Sequence, residues 1–122
     1  MTHPFLERLQ AGPIVCDGAM GTQLYARGVS YDRCFDELVV SQPDVVEAVH
    51  RDYLAAGAEI IETNTFGANR VRLAEHGLAD CVTLFNKEAV AIARRAVAAS
   101  GRRAFVAGAV GPLGKLVAPM GR

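Results

Sequence analysis

The chain has 122 residues, 51% of them hydrophobic and 21% charged, with 13 basic side chains against 13 acidic ones, a balance that describes a globular chain and excludes disorder. A formal net charge of zero leaves no electrostatic footprint for a polyanion, so neither nucleic acid nor a membrane surface is an expected partner and the expected ligand is small. The longest apolar run, from Ala104 to Val110, falls far short of the ~20 residues of a spanning helix, and the charged N-terminal stretch around Glu7 and Arg8 is unlike a signal peptide, so a cytoplasmic protein is expected.

In chain order, a short helix is predicted over residues 5–10. Pro13-Ile14-Val15-Cys16 then reads as a first strand running into Asp17-Gly18-Ala19-Met20-Gly21-Thr22, followed by an irregular segment. Ser41 is placed to cap a helix with Pro43 in its first turn and Asp44 three residues on. Val45, Val46, Val49, Tyr53, Leu54 and Ala56 repeat at helical spacing until Gly57, which predicts a helix over residues 43–56. Residues 58–62 read as a second strand that opens into Thr63-Asn64-Thr65-Phe66-Gly67-Ala68-Asn69. A short helix over 70–75 is stopped by His76-Gly77. A longer one over 80–99 has Val82, Phe85, Ala89, Ile92, Ala93 and Ala96 on its apolar face, with Lys87, Glu88, Arg94 and Arg95 off it, and Gly101 ends it. Phe105 to Val110 is the third strand, running into Gly111-Pro112-Leu113-Gly114.

Strands alternating with helices imply an α/β fold with parallel strands and helical crossovers, either a doubly wound sheet or a (β/α)₈ barrel. Both folds place ligand chemistry on loops at the carboxyl ends of strands, where all three glycine-containing loops lie. A barrel takes about 250 residues, so residues 1–122 are expected to form the N-terminal portion of a larger domain, with unpaired strand edges that favour self-association.

The first loop offers the Asp17 carboxylate beside backbone N–H groups that Gly18 and Gly21 leave approachable, and Thr22 adds a hydroxyl. An ammonium group suits the carboxylate and a carboxylate or phosphate suits the amides, and together these two poles describe an amino acid. The alternative is an ordinary turn in which Asp17 is a cap. In the second loop, Thr63, Asn64 and Thr65 surround Phe66 with hydroxyls and an amide, a mix that orients a small polar substrate against an apolar wall. Asn69 is better read as the N-cap of the next helix. Spacing does not decide which way Glu62 faces, and the third loop is chiefly conformational. His3, His50 and His76 are expected in surface or capping roles, and Arg94-Arg95 with Arg102-Arg103 as solvated positions at a helix end. Cys16, Cys34 and Cys81 stand too far apart for a disulfide framework or a local metal site and read as free thiols.

Taken together, Asp17-Gly18-Ala19-Met20-Gly21-Thr22, Ala56-Gly57-Ala58-Glu59-Ile60-Ile61-Glu62-Thr63-Asn64-Thr65-Phe66 and Ala107-Gly108-Ala109-Val110-Gly111-Pro112 resemble successive blocks of the homocysteine S-methyltransferase family. The resemblance implies about three βα segments of a zinc-dependent (β/α)₈ barrel that moves a methyl group onto the sulfur of homocysteine to give methionine. Zinc would hold the sulfur as thiolate, the nucleophilic form. It further implies that the loop from Asp17 through Gly18, Ala19, Met20 and Gly21 to Thr22 holds the amino and carboxylate groups of homocysteine, and that Thr63, Asn64, Thr65 and Phe66 border the substrate. The family's zinc ligands, one cysteine and a later adjacent pair, have no counterpart here, so no metal ligand and no catalytic residue is assigned in this chain. The methyl donor stays unidentified, and folate, flavin or cobalamin would enter only through other modules. Gly67 stands where the betaine-dependent branch has tyrosine. The connection Asp32-Arg33-Cys34-Phe35-Asp36-Glu37-Leu38 is most similar to the branch fused to a methylenetetrahydrofolate reductase, with cobalamin-dependent methionine synthases next. The competing readings are a non-catalytic truncated barrel that works by association and, ranked lowest, an unrelated barrel binding a phosphorylated metabolite, since no basic residue accompanies the loops before Lys115.

Overall fold

Residues 2–116, 118 and 120 are described by the structure, a computed structural model. Helix α1 (Pro4–Gln10) starts at His3, whose Nδ1 accepts the Phe5 amide at 3.2 Å. Two short helices follow the first loop, α2 (Gly21–Ala26) and α3 (Leu38–Ser41), the latter entered through a 3₁₀ turn at Phe35–Glu37. Helix α4 (Pro43–Ala55) leads into strand β1 (Ile60–Glu62). Helix α5 (Arg70–Ala74), a 3₁₀ turn at Ala79–Cys81 and helix α6 (Val82–Ser100) then lead to strand β2 (Phe105–Ala107).

Strands β1 and β2 pair in parallel, with Ile60 opposite Phe105, Ile61 opposite Val106 and Glu62 opposite Ala107. The expected first strand is shorter than predicted. It joins β1 through a single parallel bridge between Cys16 and Ile60, with Val15 O accepting from Glu59 N and the Asp17 amide donating to Ile60 O at 2.9 Å. The ladder stops there for a chemical reason. The amide of Glu62 goes to the Asp17 side chain (Oδ2, 2.9 Å) instead of to a main-chain carbonyl. The third strand likewise ends at Ala107 and not at Val110. Parallel pairing in the predicted order is otherwise as expected.

Strand alternation divides the sheet into two faces. Ile61, fully buried, packs with Leu54, Ala58, Ala93 and Ala96, so helices α4 and α6 cover this side. Alanines at 89, 93 and 96 keep the facing surface of α6 low, while Phe85 and Ile92 fill the space against Val46 and Val49 of α4. On the other face Glu62 is exposed, and α1 reaches across to set the Phe5 ring edge-on to Phe105 at 5.3 Å. Arg8 of α1 grips Glu59 with two nitrogens at 2.7 and 2.8 Å.

Helix α4 ends where the sequence says it should. Gly57, at φ +107°, takes the left-handed position; its amide donates to Leu54 O and that of Ala58 to Tyr53 O, which closes the helix and turns the chain straight into β1. The start differs from expectation. Gln42 is the N-cap residue, while Ser41 closes α3 and donates its hydroxyl to Glu37 at 2.8 Å, so Ser41 caps nothing. Pro43, with no N–H to leave unpaired, begins α4 without a side-chain cap. Asn69 caps α5 as anticipated, its Oδ1 accepting the Arg72 amide at 2.9 Å.

Two expectations about charged side chains are corrected. Arg95 is not merely solvated, because its Nε donates to buried Glu47 at 3.0 Å while Arg51 holds the other oxygen at 2.8 Å. Burial pushes the Glu47 carboxyl upward, but hydrogen bonds from Arg95 and Arg51 together outweigh it and hold the group below its ordinary range. His50 has no surface or capping role. It is fully buried on the face of α4 that also carries Val46 and Leu54, and neither ring nitrogen has a partner among the described residues.

Burial pushes His50 down to about 4 from 6.5, against the smaller pull of the Glu47 carboxylate. As pH falls below 6.5 the unfolded chain gains this proton while the folded chain refuses it until about 4, so stability is lost across that window. The full loss is about 3 kcal/mol. Urea unfolding measured between those pH values should show this slope, and His50→Leu should flatten it. An equal slope in the variant would place the acid sensitivity elsewhere.

Candidate functional site

The carboxyl ends of residues 14–16, β1 and β2 converge on an open cleft of about 660 Å³. Asp17 stands at its base. One carboxylate oxygen is occupied by the Glu62 amide, while the other, Oδ1, is buried with no hydrogen-bond partner among the described residues. A buried acceptor without a donor is unfavourable and suits a cationic donor supplied by a ligand. Burial pushes the Asp17 carboxyl up, the Glu62 amide partly opposes this, and the nearby Glu62 carboxylate adds to the rise. An ammonium group entering the cleft would offset both by favouring the charged carboxylate.

The glycines of the first loop mark close approaches. A side chain at Gly18 would meet the Tyr53 hydroxyl at 2.9 Å, and that hydroxyl donates to Ala19 O at 2.7 Å. Tyr53 thus fastens the loop to α4 from behind. Gly21 faces the Phe35 ring in the same way, at 3.3 Å.

The second loop is tied to the third. Thr63 and Thr65, both buried, share a hydroxyl hydrogen bond at 2.7 Å; Thr65 Oγ1 also contacts Ala109 O at 2.8 Å, and Thr63 Oγ1 accepts the Ala109 amide at 3.2 Å. Gly111 comes so close that a Cβ there would collide with Phe66 O. Asn64 donates to Phe35 O at 2.8 Å, and the Gly67 amide donates to Asp36 Oδ1 at 3.0 Å. Phe66 stands 66% exposed at the cleft wall.

Of the residues singled out in the sequence, Asp17, Gly18, Ala19, Met20, Gly21, Thr63, Asn64 and Phe66 come together around the cleft. Thr65 lies beneath it as a tie between loops, and Thr22 is exposed in the first turn of α2, away from the walls. Glu62, left open by spacing, lines the cleft. Sequence reasoning missed the wall built by Tyr31, Arg33, Cys34, Phe35 and Asp36, and the Arg72 and His76 side chains beside it. The statement that no basic residue accompanies the loops before Lys115 is therefore corrected, since Arg33 and Arg72 line the cleft. The one available signal was a run mixing aromatic and charged residues, Tyr31 to Glu37, without periodicity.

Among the described residues no three His, Cys, Asp or Glu side chains gather as metal ligands. Cys16, Cys34 and Cys81 are free, and burial pushes the Cys34 thiol up, away from the thiolate form. The residues present do not fit a zinc site. No described helix is long and apolar enough to cross a membrane.

Parallel strands with cleft-lining loops at their carboxyl ends define an α/β unit of the kind that binds small molecules. A family model of homocysteine S-methyltransferase matches residues 14–121, and the chain belongs to that family. It is 40% identical over 120 residues to methionine synthase from Mycobacterium tuberculosis and 38% identical to methionine synthase from Mycobacterium leprae. Each alignment takes in 91% of this chain and 10% of the relative, so the chain spans about a tenth of their length. The homocysteine methyltransferase MmuM from Escherichia coli superposes in its metallated form with a TM-score of 0.76 at 31% identity, over 90% of this chain and 42% of that one. Its oxidized form gives a TM-score of 0.78 at 31% identity, over 93% and 42%.

The contact between the second and third loops yields a controlled comparison. Gly111→Ala forces a methyl group against Phe66 O, while Gly108→Ala meets nothing within 4 Å. Thermal unfolding should show Gly111→Ala destabilised by about 1–3 kcal/mol and Gly108→Ala nearly unchanged. Equal behaviour of the two variants would mean that the loops do not meet at this point.

Proposed function

We propose that residues 1–122 supply the amino-acid-binding part of a (β/α)₈ domain that methylates the sulfur of homocysteine to give methionine, in a cytoplasmic enzyme. The observation that carries this reading is the unpartnered buried oxygen of Asp17 at the base of a cleft formed by strand-end loops, in a chain of the homocysteine S-methyltransferase family.

In this reading Asp17 Oδ1 accepts from the substrate ammonium group while Oδ2 keeps its bond to the Glu62 amide. The turn from Gly18 to Gly21 offers backbone N–H groups to the substrate carboxylate, and Tyr53 holds that turn still. Asn64 and Phe66 bound the thiol side chain, the first fixed by Phe35 O and the second presenting an apolar surface. Thr63 borders the cleft and, with Thr65, ties the second loop to the third, and Thr22 stands apart from the cleft walls. Anchoring one end of a short substrate removes rotational freedom before reaction, which is where these residues contribute to rate. Zinc activation of the thiol falls to cysteines outside this set, and the methyl donor and its module are left open between the reductase-linked and methionine synthase branches. The two mycobacterial relatives favour the second. The outer edge of β2, with Val110 beyond it 95% exposed, fits pairing with a further barrel strand, and in its absence self-association.

Asp17→Asn keeps the shape and removes the charge. Equilibrium dialysis with L-homocysteine should show affinity lowered about tenfold or more, from the loss of a charge-assisted hydrogen bond of about 1.5–3 kcal/mol. Because the carboxylate must be ionised to hold ammonium, wild-type affinity should fall as pH drops through the raised pKa of Asp17, and the variant should lack that dependence. Unchanged affinity and an unchanged pH profile would reduce Asp17 to a turn residue.

A further inference from the structure

The segment before α3 takes no part in the sheet, yet it touches the first and second loops of the cleft. Phe35 lays its ring 3.3 Å from where a side chain at Gly21 would begin, and its carbonyl accepts from Asn64 at 2.8 Å. Asp36 is the adjacent residue. Its Oδ1 accepts the Gly67 amide at 3.0 Å, and its Oδ2 lies 2.7 Å from the place a Cβ on Gly67 would occupy. Both oxygens of one carboxylate are therefore set against a single bare backbone position, 31 residues further along the chain.

We propose that Asp36 is a positioning residue, holding residues 63–67 in substrate-binding shape through the Gly67 amide, and that Gly67 lacks a side chain because this carboxylate fills the space. The proposal rests on the homocysteine reading of the cleft. The loop is also held by Asn64, which donates to Phe35 O at 2.8 Å, and by Asn86 of α6, which donates to Ala68 O at 3.0 Å. Ala68 and Asn69 close it with amides donated to Thr65 O and Gly67 O, bonds that depend on the turn being in place. Phe66, immediately before the clamped residue, is the exposed aromatic wall, so its direction follows the Gly67 backbone. Asp36 differs in kind from Asp17: Asp17 keeps one oxygen without a partner, whereas Asp36 directs both at Gly67. Burial pushes the Asp36 carboxyl up, the Gly67 amide opposes this, and Arg72 and His76 act more weakly from nearby, with no hydrogen bond from either to Asp36 among the described residues. The role needs an acceptor and not a charge, because the donor is a neutral amide.

The test uses the chain with Asp36→Ala, Asp36→Asn and Gly67→Ala, reading L-homocysteine affinity by equilibrium dialysis and hydrogen exchange by mass spectrometry. Asp36→Ala removes the acceptor and Gly67→Ala pushes it away, so each should weaken binding about tenfold or more. Each should also speed exchange in residues 63–69 while α6 keeps its protection. Asp36→Asn retains an oxygen and should bind within about twofold of the parent. If Asp36→Ala leaves exchange in 63–69 unchanged, or loses protection equally in α6, the positioning role is overturned. If Asp36→Asn binds as poorly as Asp36→Ala, the charge itself is needed and Asp36 is a direct ligand, which also overturns it. Should the parent chain bind no homocysteine, the functional reading fails and the exchange results alone decide the role of Asp36.

Discussion

A parallel ladder cannot be closed by a hairpin, because each strand must be re-entered from the same end. Everything about this site follows from that constraint. Residues 15–16, β1 and β2 run side by side in one direction, so their carboxyl ends, separated by some ninety positions in the chain, open onto one cleft. The crossovers that return the chain, α4 and α6, must cover the same face of the sheet, and Ile61 with Leu54, Ala93 and Ala96 is the seal. The strand ends are left for chemistry, while α1 packs on part of the opposite face.

At those ends main-chain pairing gives way to side-chain pairing. Asp17 takes the amide that the next ladder bond would have used, and its second oxygen is left buried without a partner among the described residues. The threonines at 63 and 65 do the same between the second and third loops. Each substitution of a side chain for a carbonyl ends a strand and fixes a loop at the same point. This explains why the strands are only three residues long while the second loop, with Thr63, Asn64, Thr65 and Ala68 buried, is bonded to its neighbours. The glycines serve the same geometry: Gly18, Gly67 and Gly111 are bare because Tyr53, Asp36 and Phe66 approach them.

Much of this was legible in the residues, and what was hidden has physical causes. Helices α4 and α6 show their apolar stripes plainly, and Gly57 and Gly101 mark their ends, both at positive φ. Asn69 announces its cap. The short helices α2 and α3 carry too few turns for a periodicity, and α2 starts on a glycine with no side-chain cap. Ser41 looked like a cap because serine before Pro43 usually is one, but the preceding helix had already claimed it. His50 could have been placed, since it falls four residues after Val46 and four before Leu54, on the buried stripe. Asp17 and the second loop were found because glycine and small polar residues after an apolar run are a local pattern. Asp36 was not, because its partner is 31 residues away and no local pattern encodes that distance.

The central claim is that the cleft receives the amino-acid end of homocysteine with its ammonium group on Asp17. A crystal structure of the chain grown with L-homocysteine tests it most directly. The account predicts the ammonium nitrogen within hydrogen-bonding distance of Asp17 Oδ1 and the sulfur directed away from Asp17 along the face of Phe66. Density for homocysteine with its amino group remote from Asp17, or bound outside the loops that follow residues 16, 62 and 107, would contradict it.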